Sequence, residues 1–228
     1  MNALEFLRLL FKGPTTQQIA AQLRQPSGLL AKKVAERMNK GNRFLYDRTW
    51  EALQLEDSMK VLEIGFGNGL FFPELASKAK HLKLFGLDFS EAMMEEASRR
   101  NAASVKDGTL NLHFGSSEKM PFADGSFDRV YCINVIYFWE NPATHLREVK
   151  RVLKPSGQFI AALRTKDTME KMPFTRFGFS MYEEQAWKDV LIANGFQPLR
   201  TVHLKEPWVD FDGGRYEPES LVMVAAKA

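Results

Sequence analysis

Two rhythms of apolar and polar positions divide this chain near residue 58. Upstream, apolar residues recur at helical spacing in LEFLRLLF, TTQQIAAQL, LLAKKVAERMNKGN and FLYDRTWEAL, with Gly13-Pro14, Pro26-Ser27-Gly28 and Gly41-Asn42 between the runs. They predict a helical N-terminal extension over residues 1–55, interrupted at those points. Downstream, short β-rich runs alternate with longer amphipathic stretches, the pattern of an open parallel sheet with helices on both faces. The predicted strands are MKVLEIG, LKLFGLD, LNLHFG, FDRVYCIN, GQFIAAL, FQPLRTVHLK and SLVMVAAK, with helices starting near Asn68, Ser90, Pro142 and Met181. Ser90 is placed to cap EAMMEEASRRN, because its hydroxyl can accept an amide that the first turn leaves unpaired. Pro155 and Gly157 end one helix and open the next strand. The last two strands are joined by PWVDFDGGRYEP, which has no room for a helix, so they are expected to form an antiparallel hairpin turning at Gly213-Gly214.

The first chemical signal lies in VLEIGFGNGLFFPEL, residues 61–75. A strand that turns into a helix at the carboxyl edge of a parallel sheet leaves backbone amides aimed at a ligand, and glycines allow close approach because no Cβ intervenes. A dinucleotide fingerprint of the form G-x-G-x-x-G would need glycine at position 70, which is Leu70; here the glycines are Gly65, Gly67 and Gly69, with Glu63 two residues ahead. The next strand ends at Asp88, about 20 residues beyond the loop, where an acid can accept from both hydroxyls of a ribose.

E-x-G-x-G-x-G after a strand resembles motif I of the class I S-adenosylmethionine-dependent methyltransferases. Three further segments are similar to that family in order: LFGLDFSEAMMEEA, GSSEKMPFADGSFDRVYCINVIYFW and LREVKRVLKPSGQFI, so the resemblance covers roughly residues 58–165. It is nearest to the small-molecule branch that includes the ubiquinone and menaquinone methyltransferases. The resemblance implies an α/β, Rossmann-like, seven-stranded and mostly parallel sheet with an antiparallel C-terminal hairpin strand. It also implies S-adenosyl-L-methionine as cofactor, S-adenosyl-L-homocysteine as product, and methyl transfer to a small, partly apolar acceptor by in-line displacement. By motif position, Gly65, Gly67, Asn68 and Gly69 should line the methionine and ribose side, Glu63 should orient the loop and the ammonium group, and Asp88 should hold the ribose. Phe89 and Met93 should contact adenine, Ser116 and Ser117 should occupy the adenine-binding position, and Ile133, Asn134 and Tyr137 should flank the methionine portion. Ser116 departs from the family's frequent Asp at that place. The sulfonium leaving group is already activated, so alignment is the main task and can account for about 7–11 kcal/mol of barrier. A base is needed only if the acceptor loses a proton, and Tyr46, Tyr137, His145 and Tyr182 are candidates by placement.

Composition narrows the partners. Charged residues make up 26% and the formal net charge is only +3, so no strong polyanion field is implied, and nucleic acid is not signalled. A locally basic stretch with Lys32, Lys33, Arg37, Lys40 and Arg43 keeps an RNA- or protein-directed methyltransferase as an alternative, beside a non-catalytic cofactor-binding module. The single cysteine, Cys132, excludes an intramolecular disulfide and a cysteine metal cluster; it reads as a core residue of the fourth strand, in a reducing compartment. No metal, no membrane span, a cytoplasmic location and a monomer or homodimer are expected. Residues 1–55 are read as a cap over the acceptor, residues 56–228 as the methyltransferase domain, and about 165–181 as a lid-like insertion rich in Phe and Met.

Overall fold

The computed structural model describes residues 14–211 and 214–228. The helix expected over residues 2–12 and the Gly213 half of the expected turn lie outside the described residues. All seven expected strands form one sheet: β1 (Lys60–Ile64), β2 (Lys83–Asp88), β3 (Leu110–Phe114), β4 (Phe127–Ile133), β5 (Leu153–Arg164), β6 (Phe196–Lys205) and β9 (Glu219–Lys227), in the order β3-β2-β1-β4-β5-β9-β6. β1 through β5 pair in parallel, whereas β9 runs antiparallel to both β5 and β6. Between β6 and β9 the connection forms a small hairpin of its own, β7 (Val209–Phe211) with β8 (Gly214–Tyr216).

Helices cover both faces because the strands alternate their side chains. On one face Val61, Tyr131 and Ile133 pack with α2 (Ala31–Leu53), α3 (Phe72–Ala76) and α4 (Glu91–Arg100) through Leu45, Trp50, Leu53, Phe72, Leu75 and Ala97. On the other, Leu62, Ile64, Val130 and Cys132 meet α1 (Thr16–Arg24), α6 (Pro142–Val152) and α8 (Glu184–Ala193), which contribute Ala20, Leu146, Val149, Trp187 and Leu191. A short α5 (Ala102–Lys106) leads into β3, and α7 (Lys166–Glu170) follows β5.

Two local expectations change in the structure. The break at Gly41-Asn42 is absent, and α2 runs unbroken for 23 residues. Gly inside a helix costs roughly 1 kcal/mol; the buried stripe of Ala31, Ala35, Leu45, Trp50 and Leu53 outweighs that, and the Arg164 guanidinium donates to the Gly41 carbonyl at 2.8 Å. The helix expected from Asn68 starts only at Phe72, because Gly67 (φ +59°) and Gly69 (φ +66°) hold a handedness that a right-handed helix excludes. In the segment read as lid-like, Met169, Met172 and Phe174 are buried in the core shared with α6 and α8.

Candidate functional site

The chain order reverses between β1 and β4, which opens a crevice at their carboxyl ends. There a cavity of about 270 Å³ is bounded by the β1 loop (Gly65, Phe66, Gly67, Asn68), the end of β2 (Asp88, Phe89), the loop after β3 (Gly115–Glu118), the end of β4 (Ile133, Asn134, Val135) and the N-terminal helices. Gly67 carries positive φ and a Cβ built there meets nothing within 4 Å, so backbone lies bare along the cavity. Gly65 is confined differently: a Cβ would stand 2.5 Å from Val135 Cγ2.

Asp88 is buried at 6% exposure on the cavity wall. Its Oδ2 accepts from the Gly67 amide at 2.9 Å and its Oδ1 from the Ser90 amide at 2.9 Å. Each oxygen retains a lone pair for a second donor. Burial pushes the carboxyl up to about 6, partly offset by the amides of Ser90, Gly67 and Phe89. An acid held this way, beside a glycine loop with room along it, fits the paired hydroxyls of a ribose. Ser90 caps α4 as expected, accepting from the Met93 amide, and its own hydroxyl donates to the Pro26 carbonyl at 2.6 Å. That bond ties the segment ahead of α2 to the end of β2.

Of the residues expected at a cofactor site, Gly65, Gly67, Asn68, Asp88, Phe89, Met93, Ser116, Ser117, Ile133 and Asn134 converge on this cavity. Glu63, Gly69 and Tyr137 are not among its lining. Gly69 faces α4 instead: a Cβ there would come within 2.8 Å of Ala97 Cβ and of Asn101 Nδ2, so its glycine serves loop-on-helix packing. The Glu63 carboxylate bonds neither loop nor cavity; it accepts from Tyr46 Oη at 2.7 Å and Tyr131 Oη at 2.6 Å, and burial pushes it up to about 7. The Tyr137 hydroxyl is taken up by Asn134 Oδ1 at 3.2 Å and the Arg164 carbonyl at 3.0 Å. Among the candidate bases, Tyr46 and His145 border the cavity, while Tyr137 and Tyr182 do not.

The sequence reading assigned the opposite wall to the N-terminal helices and named Tyr46 in it, but not the other residues that form it. Ala35, Met38, Asn39, Asn42 and Tyr46 of α2, with Leu23, Arg24 and Pro26, complete the cavity. Their spacing of three, four and seven residues marks one helix face, legible only once the assumed break at Gly41 is removed. Polar contacts latch this wall to the loops: Asn39 Nδ2 to Asn68 Oδ1 at 3.0 Å, Asn134 Nδ2 to Asn42 Oδ1 at 3.1 Å, Gln25 Nε2 to the Phe89 carbonyl at 2.9 Å, and Arg24 to Glu140 at 2.9 Å. Asn134 holds φ +56°, a conformation that asparagine tolerates better than most residues, where β4 meets the cavity. No group of three or more His, Cys, Asp or Glu able to hold a metal occurs among the described residues, and no described helix is long and apolar enough to cross a membrane.

Comparison with known proteins agrees with this geometry. Residues 62–161 match the family described as a methyltransferase domain. A demethylmenaquinone methyltransferase of Symbiobacterium thermophilum is 32% identical over 171 residues, covering 70% of this chain and 64% of that protein, so the chain spans just under two thirds of that relative's length. Among solved structures, a chain of the complex between the Haloferax volcanii Trm112 methyltransferase activator and a methyltransferase has a TM-score of 0.75 at 18% identity, covering 94% of this chain and 99% of that one. Geranyl diphosphate C-methyltransferase of Streptomyces coelicolor, solved with Mg2+, geranyl diphosphate and S-adenosyl-L-homocysteine, has a TM-score of 0.69 at 13% identity, covering 91% and 89%. At such identities the structural likeness speaks for the fold alone. The matched segment runs from β1 into β5, the part of the sheet that builds the glycine loop and the acidic strand end, and this part of the chain is a methyltransferase domain of the S-adenosylmethionine-dependent kind.

Proposed function

We propose that this protein transfers the methyl group of S-adenosylmethionine to a small acceptor with a substantial apolar part. The observation that carries this reading is a single cavity whose one side is the glycine loop and Asp88 and whose other side brings Leu23, Met38, Val135 and Phe138 together. The name of the relative above, a demethylmenaquinone methyltransferase, fits an acceptor of that character. The cofactor supplies a methyl on a positively charged sulfur, and the protein has to align, desolvate and, for a protic acceptor, remove a proton. Asp88 takes the ribose hydroxyls, the backbone at Gly67, with no side chain in the way, faces the methionine portion with Asn68, and Phe89 and Met93 cover the base. The N-terminal helices close the acceptor side and keep water out.

For an acceptor that must lose a proton, Tyr46 is the group on the cavity wall with an onward path. Its oxygen takes the acceptor's proton as its own hydroxyl proton passes to Glu63 Oε1, 2.7 Å away, while the carbon–sulfur bond breaks and the bond from acceptor to methyl forms. Burial holds Glu63 near neutrality, which suits a terminal proton acceptor. An RNA-directed role gains less support, since Arg43 of the basic helix is engaged by Asp47 and Glu74.

The test is calorimetric titration with S-adenosylmethionine, S-adenosylhomocysteine and NAD, followed by transfer of a labelled methyl group to acceptors of increasing apolar chain length. Binding of the two sulfur compounds but not NAD, with transfer improving as the apolar part grows, is the expected result. Cofactor binding with transfer only to RNA or protein would overturn the acceptor class and leave the cofactor site standing.

A further inference from the structure

At one side of the cavity a closed ring of hydrogen bonds runs through α2, the end of β4, Tyr137 and the end of β5. The Arg164 guanidinium donates to the Gly41 carbonyl in the middle of α2 at 2.8 Å. The next residue of that helix, Asn42, accepts from Asn134 Nδ2 at 3.1 Å. Asn134 Oδ1 accepts from the Tyr137 hydroxyl at 3.2 Å, and that hydroxyl also bonds the Arg164 carbonyl at 3.0 Å and the Arg164 amide. Glu206 anchors the ring: it accepts from Arg164 Nε on Oε1 and from Nη2 on Oε2, both at 2.9 Å, and from the Ser220 hydroxyl as well. The Glu206 side chain is 2% exposed and that of Arg164 14%.

A buried ion pair is a poor source of stability, because taking both charges out of water offsets most of their attraction. This pair reaches the point that sets how α2 lies on the sheet. Asn42 lines the cavity, and Tyr46, one turn further on, lines it from the same helix face. Gly41 is not demanded by packing, since a Cβ there meets nothing within 4 Å; the ring uses its carbonyl. Tyr46 is held to Glu63 at 2.7 Å, so a shift of α2 would take its oxygen away from the carboxylate or from the acceptor. We infer that Arg164 is a positioning residue for methyl transfer: anchored on Glu206, it fixes the middle of α2 so that Tyr46 meets the acceptor while staying on Glu63. The cofactor side, held by the glycine loop and Asp88, is independent of it. The inference rests on the role proposed for Tyr46 in this cavity.

The experiment removes both charges together, Arg164→Met with Glu206→Leu, so that neither is left buried alone. On the full chain it reads melting temperature, S-adenosylhomocysteine affinity by calorimetry, and the single-turnover rate of labelled methyl transfer from S-adenosylmethionine to the best used of a series of alkylphenols, at saturation. The double variant should melt close to the wild type and bind S-adenosylhomocysteine within about 3-fold, while the rate falls about 10–100-fold, because small misplacements of reacting groups cost that much. In a Tyr46→Phe background the same exchange should cost little more, since no hydroxyl is left to position. Arg164→Lys keeps a charge for Glu206 but has no planar fork to reach Gly41 as well, and its rate should be intermediate. Should the double variant not fold, as judged by circular dichroism, Tyr137→Phe opens the ring on its other side with the ion pair intact, and must lower the rate without weakening S-adenosylhomocysteine. A rate within a few-fold of wild type in the folded variants overturns the inference. So does a joint fall of melting temperature, cofactor affinity and rate that persists in the Tyr46→Phe background, the mark of a merely structural pair. Binding of S-adenosylhomocysteine by a wild type that methylates none of the phenols overturns the role proposed for Tyr46, and the inference with it; failure to bind S-adenosylhomocysteine overturns the reading of the cavity itself.

Discussion

The two walls of the cavity are built on different principles. The loop wall, from Gly65 to Asp88, is held by backbone: Gly67 donates to Asp88, Gly65 donates to the Leu87 carbonyl, and positive-φ glycines set the path. The cap wall, on α1 and α2, is held by side-chain amides and one largely exposed ion pair. Backbone contacts survive most substitutions and side-chain latches do not, so the first wall is fixed by the fold and the second is the easier to open, which is the division of labour the proposed function needs.

The sharpest way to break that contrast is within the loop itself. Gly69→Val adds a left-handed strain of about 1–2 kcal/mol to an overpacking of about 1–3 kcal/mol against Ala97 and Asn101. Denaturant unfolding should show a large loss of stability, whereas Gly67→Ala, with open space around its Cβ, should lose only the backbone part. Equal losses at the two positions would mean that the glycines do not divide their work between packing and ligand.

Next comes Asp88→Asn, which should weaken S-adenosylmethionine binding by about 1.5–3 kcal/mol, on the order of 10–150-fold, in calorimetry. Stability of the free protein at pH 8 should not fall in parallel, because the ionised carboxylate is unfavourably buried. The same sign governs pH. Asp88 and Glu63 titrate near 6 and 7 in the folded protein, above their ordinary values, so the folded state binds their protons more tightly than the unfolded chain does. Their stabilising contribution is fully present below about pH 4 and is lost as pH rises through 6 and 7. The free protein should therefore gain stability from these groups on going from pH 8 to pH 5, an increment that Glu63→Gln diminishes, while cofactor affinity declines below about pH 6 as Asp88 takes up its proton.

A change in rate alone separates chemistry from binding. Tyr46→Phe should lower turnover of a protic acceptor roughly 10²-fold or more with cofactor affinity changed little; equal losses of both would remove Tyr46 from the proton path. The least effect is expected at the cap. Arg24→Ala opens an exposed pair worth roughly 0.2–1 kcal/mol, so melting should barely move, while the cofactor association rate should rise and lose part of its salt dependence.

Much of this molecule is local in sequence. Seven strands, the antiparallel return of β9, the capping of α4 by Ser90 and the pairing of the glycine loop with Asp88 follow from periodicity, turn chemistry and a spacing of about 20 residues, each read from a short stretch of chain. Gly69 shows the limit of that reading: its spacing matches a ligand loop, yet its neighbour is α4, and only the helix's position tells packing from binding. Gly41 shows another, because a helix breaker in isolation is overruled by a buried stripe on both sides of it.

What the sequence by itself determined is therefore the fold class, the resemblance to a methyltransferase domain and the glycine-loop side of the cavity, since each depends on residues close together along the chain. Tertiary structure alone decided the rest. It brought Tyr46 and Tyr131, 17 and 68 residues from Glu63, onto one carboxylate, set His145 beside Ser117 across 28 residues, and turned one face of α2 into a wall of the cavity. The physical reason is that hydrogen bonds and burial act over a few ångströms of space without regard to chain separation, so a residue's proton, charge and role depend on neighbours that only folding supplies.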